Sequence, residues 1–275
     1  MAEITAAAVK ELREKTGLPM MECKKALQET GGNQQAAVDW LRKQGIKTKE
    51  TRIGRETAAG RIAAYSDMQK GVGAMIELKC ESAPVAVSAD VKQFAADLAK
   101  QLATGPGAKT PEELLAQPSP SKPGTTLAEV QDDLFNRMRE VFNLTRIVRI
   151  DGPTGAYVHH DGAAGALVEV TGGNADTAKD VAMHVVALKP AVVVKEDLDA
   201  SAIDKEREIL SEAARGEGKP ENIIGKMVEG RLKNFFAERV LMEQPFVKDD
   251  SQTVGKLATD AKMKIVRFVH WELGK

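Results

Sequence analysis

A chain of 275 residues with 43% hydrophobic and 29% charged residues is long enough for about two ordinary domains around a sizeable buried core. Its 39 basic and 40 acidic residues leave a net charge of −1, so no bulk field favours nucleic acid or an anionic membrane. Cys23 and Cys80 are too few for a disulfide framework, no apolar run approaches the ~20 residues of a spanning helix, and Met-Ala-Glu-Ile-Thr does not open like a signal peptide. The expectation is a soluble, cytoplasmic protein.

Residues 1–45 read as three short helices. Thr5 suits the first cap, Gly17 and Pro19 a stop and a restart, Gly31-Gly32 a second stop, and Asn33 the cap of a helix running to Gly45. Val9, Leu12, Leu27, Val38 and Leu41 supply the apolar seam. Between the first two helices, Leu18, Met20 and Met21 are more apolar than a short turn needs, and Arg13, Lys15, Lys24 and Lys25 surround them. Such a knob either docks on something or closes a small bundle. Residues 46–56 are charged and suggest a linker or an exposed helix end.

Residues 61–65 and 72–80 alternate as strands of a hairpin, and proline at Glu81-Ser82-Ala83-Pro84-Val85 ends the pairing. A helix follows with Val91, Phe94, Ala95, Leu98 and Leu102 on one face. Residues 104–124 form an irregular loop with one short turn at 111–115. Thr126 caps a helix carrying Leu127, Val130, Leu134, Met138 and Val141, and 144–150 reads as a strand. The pattern then recurs. A second hairpin spans 155–159 and 166–170, Asn174 caps a helix to Leu188, and the chain closes with a helix at 251–260 and a strand at 264–271. Its interruption, about 196–239, is charged and helical with a break at 216–219, and Ile203, Leu210, Ile223 and Met227 offer only a narrow seam. Two antiparallel helices projecting from the body fit this best.

Residues 105–110 resemble the tail of a phosphate loop, but Ala108 stands where glycine is required and the segment follows a helix. Cys80 ends a buried strand without a nearby histidine, so it reads as packing rather than as a nucleophile. In His159-His160-Asp161, neighbours on a strand point to opposite faces, which disfavours a metal site. His184 reads as a core or interface histidine. No catalytic residue, metal or cofactor is expected.

The stretch at 12–27, Leu-Arg-Glu-Lys-Thr-Gly-Leu-Pro-Met-Met-Glu-Cys-Lys-Lys-Ala-Leu, resembles the N-terminal signature of the elongation factor Ts family, exchange factors that release GDP from elongation factor Tu. Ala-Met-His-Val at 182–185, Gly-Lys-Pro at 218–220, Lys-Met-Val-Glu-Gly-Arg at 226–231 and Gln-Pro-Phe-Val at 244–247 extend the resemblance. It implies an α+β protein. A ubiquitin-associated-like three-helix module with its linker would occupy 1–53. Two related α+β subdomains with small antiparallel sheets would follow at 54–151 and 152–275, the second interrupted by a protruding helical hairpin. Many members carry a further C-terminal helical piece, which is not expected here because the sequence stops at Lys275 just after a strand.

The resemblance also implies contacts. Leu12, Arg13, Met20, Met21 and Lys24 would dock on the G domain of GDP-bound or nucleotide-free elongation factor Tu. In the family the strand-ending cysteine precedes a Thr-Asp-Phe-Val motif, whose phenylalanine wedges near the partner's magnesium site. Ser82, Ala83, Pro84 and Val85 take its place here, without the acid or the ring. Tyr157 and His159 would meet a second domain of the partner, although His160 and Asp161 replace the usual glycine. The hairpin is a candidate element for a dimer of complexes; neither nucleic acid nor membrane is an expected partner. Two rivals stand beside exchange: a scaffold or sequestering protein, favoured by Ala83-Pro84, and a thiol or metal enzyme using Cys80 or the His159-His160 pair.

Overall fold

The caps and spacings of the first fifty residues produce three helices, α1 (Ala6–Thr16), α2 (Met20–Glu29) and α3 (Gln34–Glu50). The computed structural model describes residues 4–50, with side chains as far as Gly45, then 54–218 and 220–275. Thr5 accepts from the Ala8 amide, Gly17 closes α1 at φ 67°, and Pro19 is the N-cap of α2. Val9, Leu12, Leu18, Cys23, Ala26, Leu27, Ala37 and Leu41 form the module's buried cluster, with Val38 partly buried against it. The third helix does not stop at Gly45. A Cβ there would lie 1.8 Å from Asn136 Oδ1, so this glycine permits a close approach rather than ending a helix. The helix runs on to Glu50, into the 46–56 stretch expected as a linker or an exposed helix end, and 51–53 lie outside the described residues.

Next come β1 (Ala59–Asp67), β2 (Val72–Cys80), α4 (Ala83–Ala86), α5 (Ala89–Thr104), α6 (Pro111–Leu115), α7 (Leu127–Met138) and β3 (Phe142–Ile150). A reciprocal pair of bonds between Thr126 and Glu129 fixes the start of α7, and Val91, Phe94, Ala95, Leu98 and Leu102 are all buried on α5. The sheet order is β1-β2-β3, and β2, its central strand, is buried along nearly its whole length.

The second run contains β4 (Thr154–Val158), β5 (Ala164–Gly172), α8 (Ala175–Leu188), α9 (Ala200–Gly216), α10 (Glu221–Arg239), β6 (Pro245–Phe246), β7 (Asp249–Thr253), α11 (Val254–Asp260) and β8 (Met263–Glu272). Asn174 caps α8 as expected. β5 is central in the order β4-β5-β8, antiparallel to both neighbours, with Tyr157 opposite Ala166 and Leu167 opposite Val269. Both runs thus place two strands, helices and a third strand so that the last strand pairs with the second. The fold is α+β.

Two expectations need correcting. Residues 251–253 are strand, not helix: Asp249 holds the Ser251 amide and hydroxyl, and Thr253 caps α11 by accepting from Lys256. The hairpin seam is also out of phase by one residue on α10. Ile224, Val228, Leu232 and Phe235 are buried with Ala214 of α9, whereas Ile223 is exposed and Met227 only half-buried. Ile203 and Leu210 do pack against this cluster. The break between the helices matches the reading at Gly216–Gly218, while Lys219 lies outside the described residues. Gly225 meets nothing within 4 Å of an added Cβ, so Gly225→Ala is expected to stabilise α10 by about 0.5–1 kcal/mol, read from urea unfolding.

The chain divides into two compact units, Met1–Ala63 with Ile76–Val148 and Leu273–Lys275, and Ala64–Met75 with Arg149–Glu272. In the second, α8 and α11 cover one face of the β4-β5-β8 sheet around Val168, Val170, Val181, Val185, Val254 and Ile265. No helix of the described residues is long and apolar enough to cross a membrane.

Candidate functional site

The segment after β2 is a tied turn. Pro84 lies in the first turn of α4, where its fixed φ and missing N–H fit, and Ala83 and Pro84 are exposed while Ala86 is buried. Glu140 holds Ser82 twice, accepting from its amide at 3.0 Å and from its hydroxyl at 2.5 Å. At the other end Arg61 Nη1 donates to the Ala86 carbonyl at 3.0 Å. Neighbouring Glu81 accepts from the Val141 amide at 2.9 Å and pairs with Arg55 at 3.0 Å. The Cys80 thiol donates to the Ser82 carbonyl, and Ser88 then caps α5. Val85 is half-buried, so the outward side of this turn is Ala83, Pro84 and, unforeseen, Val87 at 52% exposure.

On the helical module, Met20 and Met21 are exposed at 46% and 73%, and Arg13 and Lys24 are exposed beside them in sequence. Leu12 and Leu18 are not part of that surface. Leu12 is fully buried and Leu18 nearly so, and both belong to the module's own core. The knob is therefore two methionines on the first turn of α2, soft and adaptable side chains with Lys24 one turn further along the helix.

Tyr157 sits on the edge strand β4 and packs partly against the second unit's core. His159 follows the strand's end; its amide bonds to the Ala164 carbonyl and its Nδ1 lies 2.9 Å from Asp161 Oδ1. The Ala163 amide, and then His159, hold the Asp161 carboxyl below its usual range. That loop is ordered by its own bonds.

Covalent chemistry finds little support in the same geometry. Burial pushes the Cys80 thiol up to about 11, with Glu140 adding to the effect, so it is not a poised thiolate. No group of three or more His, Cys, Asp or Glu among the described residues could hold a metal. At the loop resembling a phosphate binder, Glu113 accepts the Lys109 amide at 2.8 Å, placing a carboxylate where a phosphate would need to be. Two clefts of about 310 and 420 Å³ beside the helical module both include Lys15, and the first Leu18, but neither includes Arg13, Met20, Met21 or Lys24.

His184 is a core histidine. Its Nδ1 accepts from the Val247 amide at 3.1 Å, so Nε2 carries the proton and donates to Gln244 Oε1 at 2.9 Å. Burial lowers its pKa from 6.5, opposed by the Gln244 bond. The unfolded chain then binds a proton that the native chain resists, so this contribution is present above 6.5 and lost as pH falls below it. Between pH 7.5 and 5.5 the melting temperature is expected to fall, and His184→Ala should remove that dependence at a cost of about 2 kcal/mol at neutral pH.

Sequence reasoning missed Val87, Glu140 and Arg61. Val87 had a signal, standing three residues from Pro84 and so on the same side of a helical turn. Glu140 had none, being 58 residues from the turn it holds.

The model of the family described as elongation factor TS matches residues 84–275. Elongation factor Ts of Methylococcus capsulatus is 44% identical over 275 residues, spanning 99% of this chain and 92% of that protein. That of Alkalilimnicola ehrlichii is 43% identical over 274 residues, with the same two shares. That of Micrococcus luteus is 39% identical over 283 residues, spanning 100% of both.

Proposed function

The chain belongs to the elongation factor Ts family, a family of translation elongation factors, and from that premise we propose that it is a guanine-nucleotide exchange factor for elongation factor Tu. It binds the GDP-bound partner, distorts the nucleotide site, and leaves when GTP rebinds. The work is done by binding alone, with no covalent step. Coupling is reciprocal: whatever factor by which the chain weakens GDP, GDP weakens the chain. Each tenfold loosening requires about 1.4 kcal/mol of differential binding.

The observation that carries this reading is the exposed, hydrogen-bonded turn after β2, held at Ser82 by Glu140 and at Ala86 by Arg61. It presents Ala83 and Pro84, at the position where the family resemblance puts the wedge, on a backbone that need not be ordered on binding. In this proposal Met20, Met21, Arg13 and Lys24 dock the helical module on the G domain, and Tyr157 and His159 meet a second domain of the partner. The division at 1–53, 54–151 and 152–275, action in the cytoplasm and a dimer of complexes through α9 and α10 belong to the same proposal.

One observation favours a second reading. Ala83 and Pro84 offer neither the carboxylate nor the aromatic ring of the family motif, and a scaffold that binds without releasing GDP needs neither. Gel filtration of the chain mixed with GDP-loaded elongation factor Tu separates the two readings. Exchange predicts a complex emptied of nucleotide; a complex that retains stoichiometric GDP would establish the scaffold.

A further inference from the structure

We propose that Val87 acts with Pro84 as a two-pronged apolar tip that opens the partner's nucleotide site, and that Glu140 is the residue positioning it. This inference rests on the exchange reading and deepens it. An exposed valine alone means nothing, since much of any protein surface is apolar. What distinguishes Val87 is the backbone beneath it. The Ala86 amide bonds to Ser82, that of Val87 to Ala83 at 3.3 Å, and that of Ser88 to Val85 at 3.1 Å, so the helical turn continues through Val87 at φ −96° and ψ −1°. Positions 83, 84 and 87 then fall on one side, with half-buried Val85 opposite and buried Ala86 turned inward beside it.

Both prongs are stiff. Proline has its φ locked by the ring, and valine is branched at Cβ, which restricts χ1. Two side chains remote in sequence fix the turn, Glu140 at its entry through both polar atoms of Ser82 and Arg61 at its exit through the Ala86 carbonyl. A four-residue surface turn does not need such anchoring to exist. Anchoring it lowers the entropy lost when the prongs enter a slot, and so leaves more binding free energy to deform that slot. The matching partner feature is an apolar slot wide enough for two small aliphatic groups instead of one aromatic ring. Val87 thereby restores part of the apolar area that Pro84 lacks relative to phenylalanine.

The test measures GDP release from elongation factor Tu at a series of factor concentrations, separating maximal release rate from half-saturating concentration. Val87→Ala removes two methyl groups and is expected to lower the maximal rate about tenfold, with the melting temperature unchanged. Glu140→Ala is expected to lower the maximal rate several-fold. Glu140→Gln should restore it, because the amide can accept from the Ser82 N–H and donate to its hydroxyl. Release by the native chain that Val87→Ala leaves intact would overturn this inference alone. So would a Glu140→Ala defect that Glu140→Gln does not repair. No acceleration by the native chain would overturn the exchange reading and this inference with it.

Discussion

Glu77→Gln is expected to destabilise the chain by about 3–5 kcal/mol. Glu77 is 2% exposed on the central strand β2, and every bond it accepts is directional. Arg146 reaches it with two prongs, Nε to Oε2 at 2.8 Å and Nη2 to Oε1 at 2.9 Å; Thr145 adds 2.6 Å and the Gly274 amide 2.8 Å. Glutamine has nearly the same shape, but its NH₂ group would face donors and take from Arg146 the carboxylate that Nε and Nη2 hold, while Nη1 keeps its bond to the Lys275 oxygen. Burial works against the carboxylate, yet the bonds from Arg146, Thr145 and Gly274 together outweigh it and hold the pKa below 4.5. A lowered carboxyl pKa contributes stability that is present above 4.5 and lost as the pH falls through the folded value. Urea unfolding at pH 7 and at pH 3 should therefore show a steep acid loss in the native chain and a flatter one in Glu77→Gln. A cost below about 1 kcal/mol at neutral pH would show that the pair is a surface-like contact.

Gly155→Ala is the second large effect, about 3 kcal/mol, and it comes from backbone rather than charge. Gly155 lies on β4, and an added Cβ would stand 2.3 Å from the Ala178 carbonyl carbon, 2.4 Å from its oxygen and 2.7 Å from its Cβ. Those are atoms of α8 itself, so no rotamer change relieves the clash. Either the helix lifts from the sheet, exposing Val181 and Val185, or the strand loses its place beside β5. Thermal unfolding and hydrogen exchange of the β4 and β5 amides would both report it. A melting temperature within a degree of native would mean the strand and helix have slack that the structure does not show.

Much of the fold was legible because its signals are local. Thr5, Asn33, Thr126 and Asn174 each cap the helix their side chain suggests, since a cap needs only three or four residues to act. Apolar spacing placed the buried face of α5 for the same reason; on α7 it found Leu127, Val130 and Leu134, but Phe135 is buried where Met138 is half-buried, and Val141 lies past the helix end at Met138. Where spacing is thin it misleads: Ile223 and Ile224 are adjacent, and only packing against Ala214 decides that the second turns inward. Leu12 and Leu18 illustrate the same limit at the candidate site. A sequence shows that they are apolar, but a three-helix core small enough to need every leucine is what removes them from the surface. Contacts spanning 58 to 69 residues, such as Glu140 to Ser82 and Arg146 to Glu77, leave no trace in periodicity. They are, however, what fixes the turn and the strand before it.

The measurement that tests the central claim most directly is stopped-flow release of a fluorescent GDP analogue from elongation factor Tu, with and without this chain. Release is expected to accelerate with factor concentration and saturate, if the turn carrying exposed Ala83, Pro84 and Val87 adds binding free energy only as the nucleotide site opens. Release at the intrinsic rate, despite a complex formed in the same mixture, would contradict it.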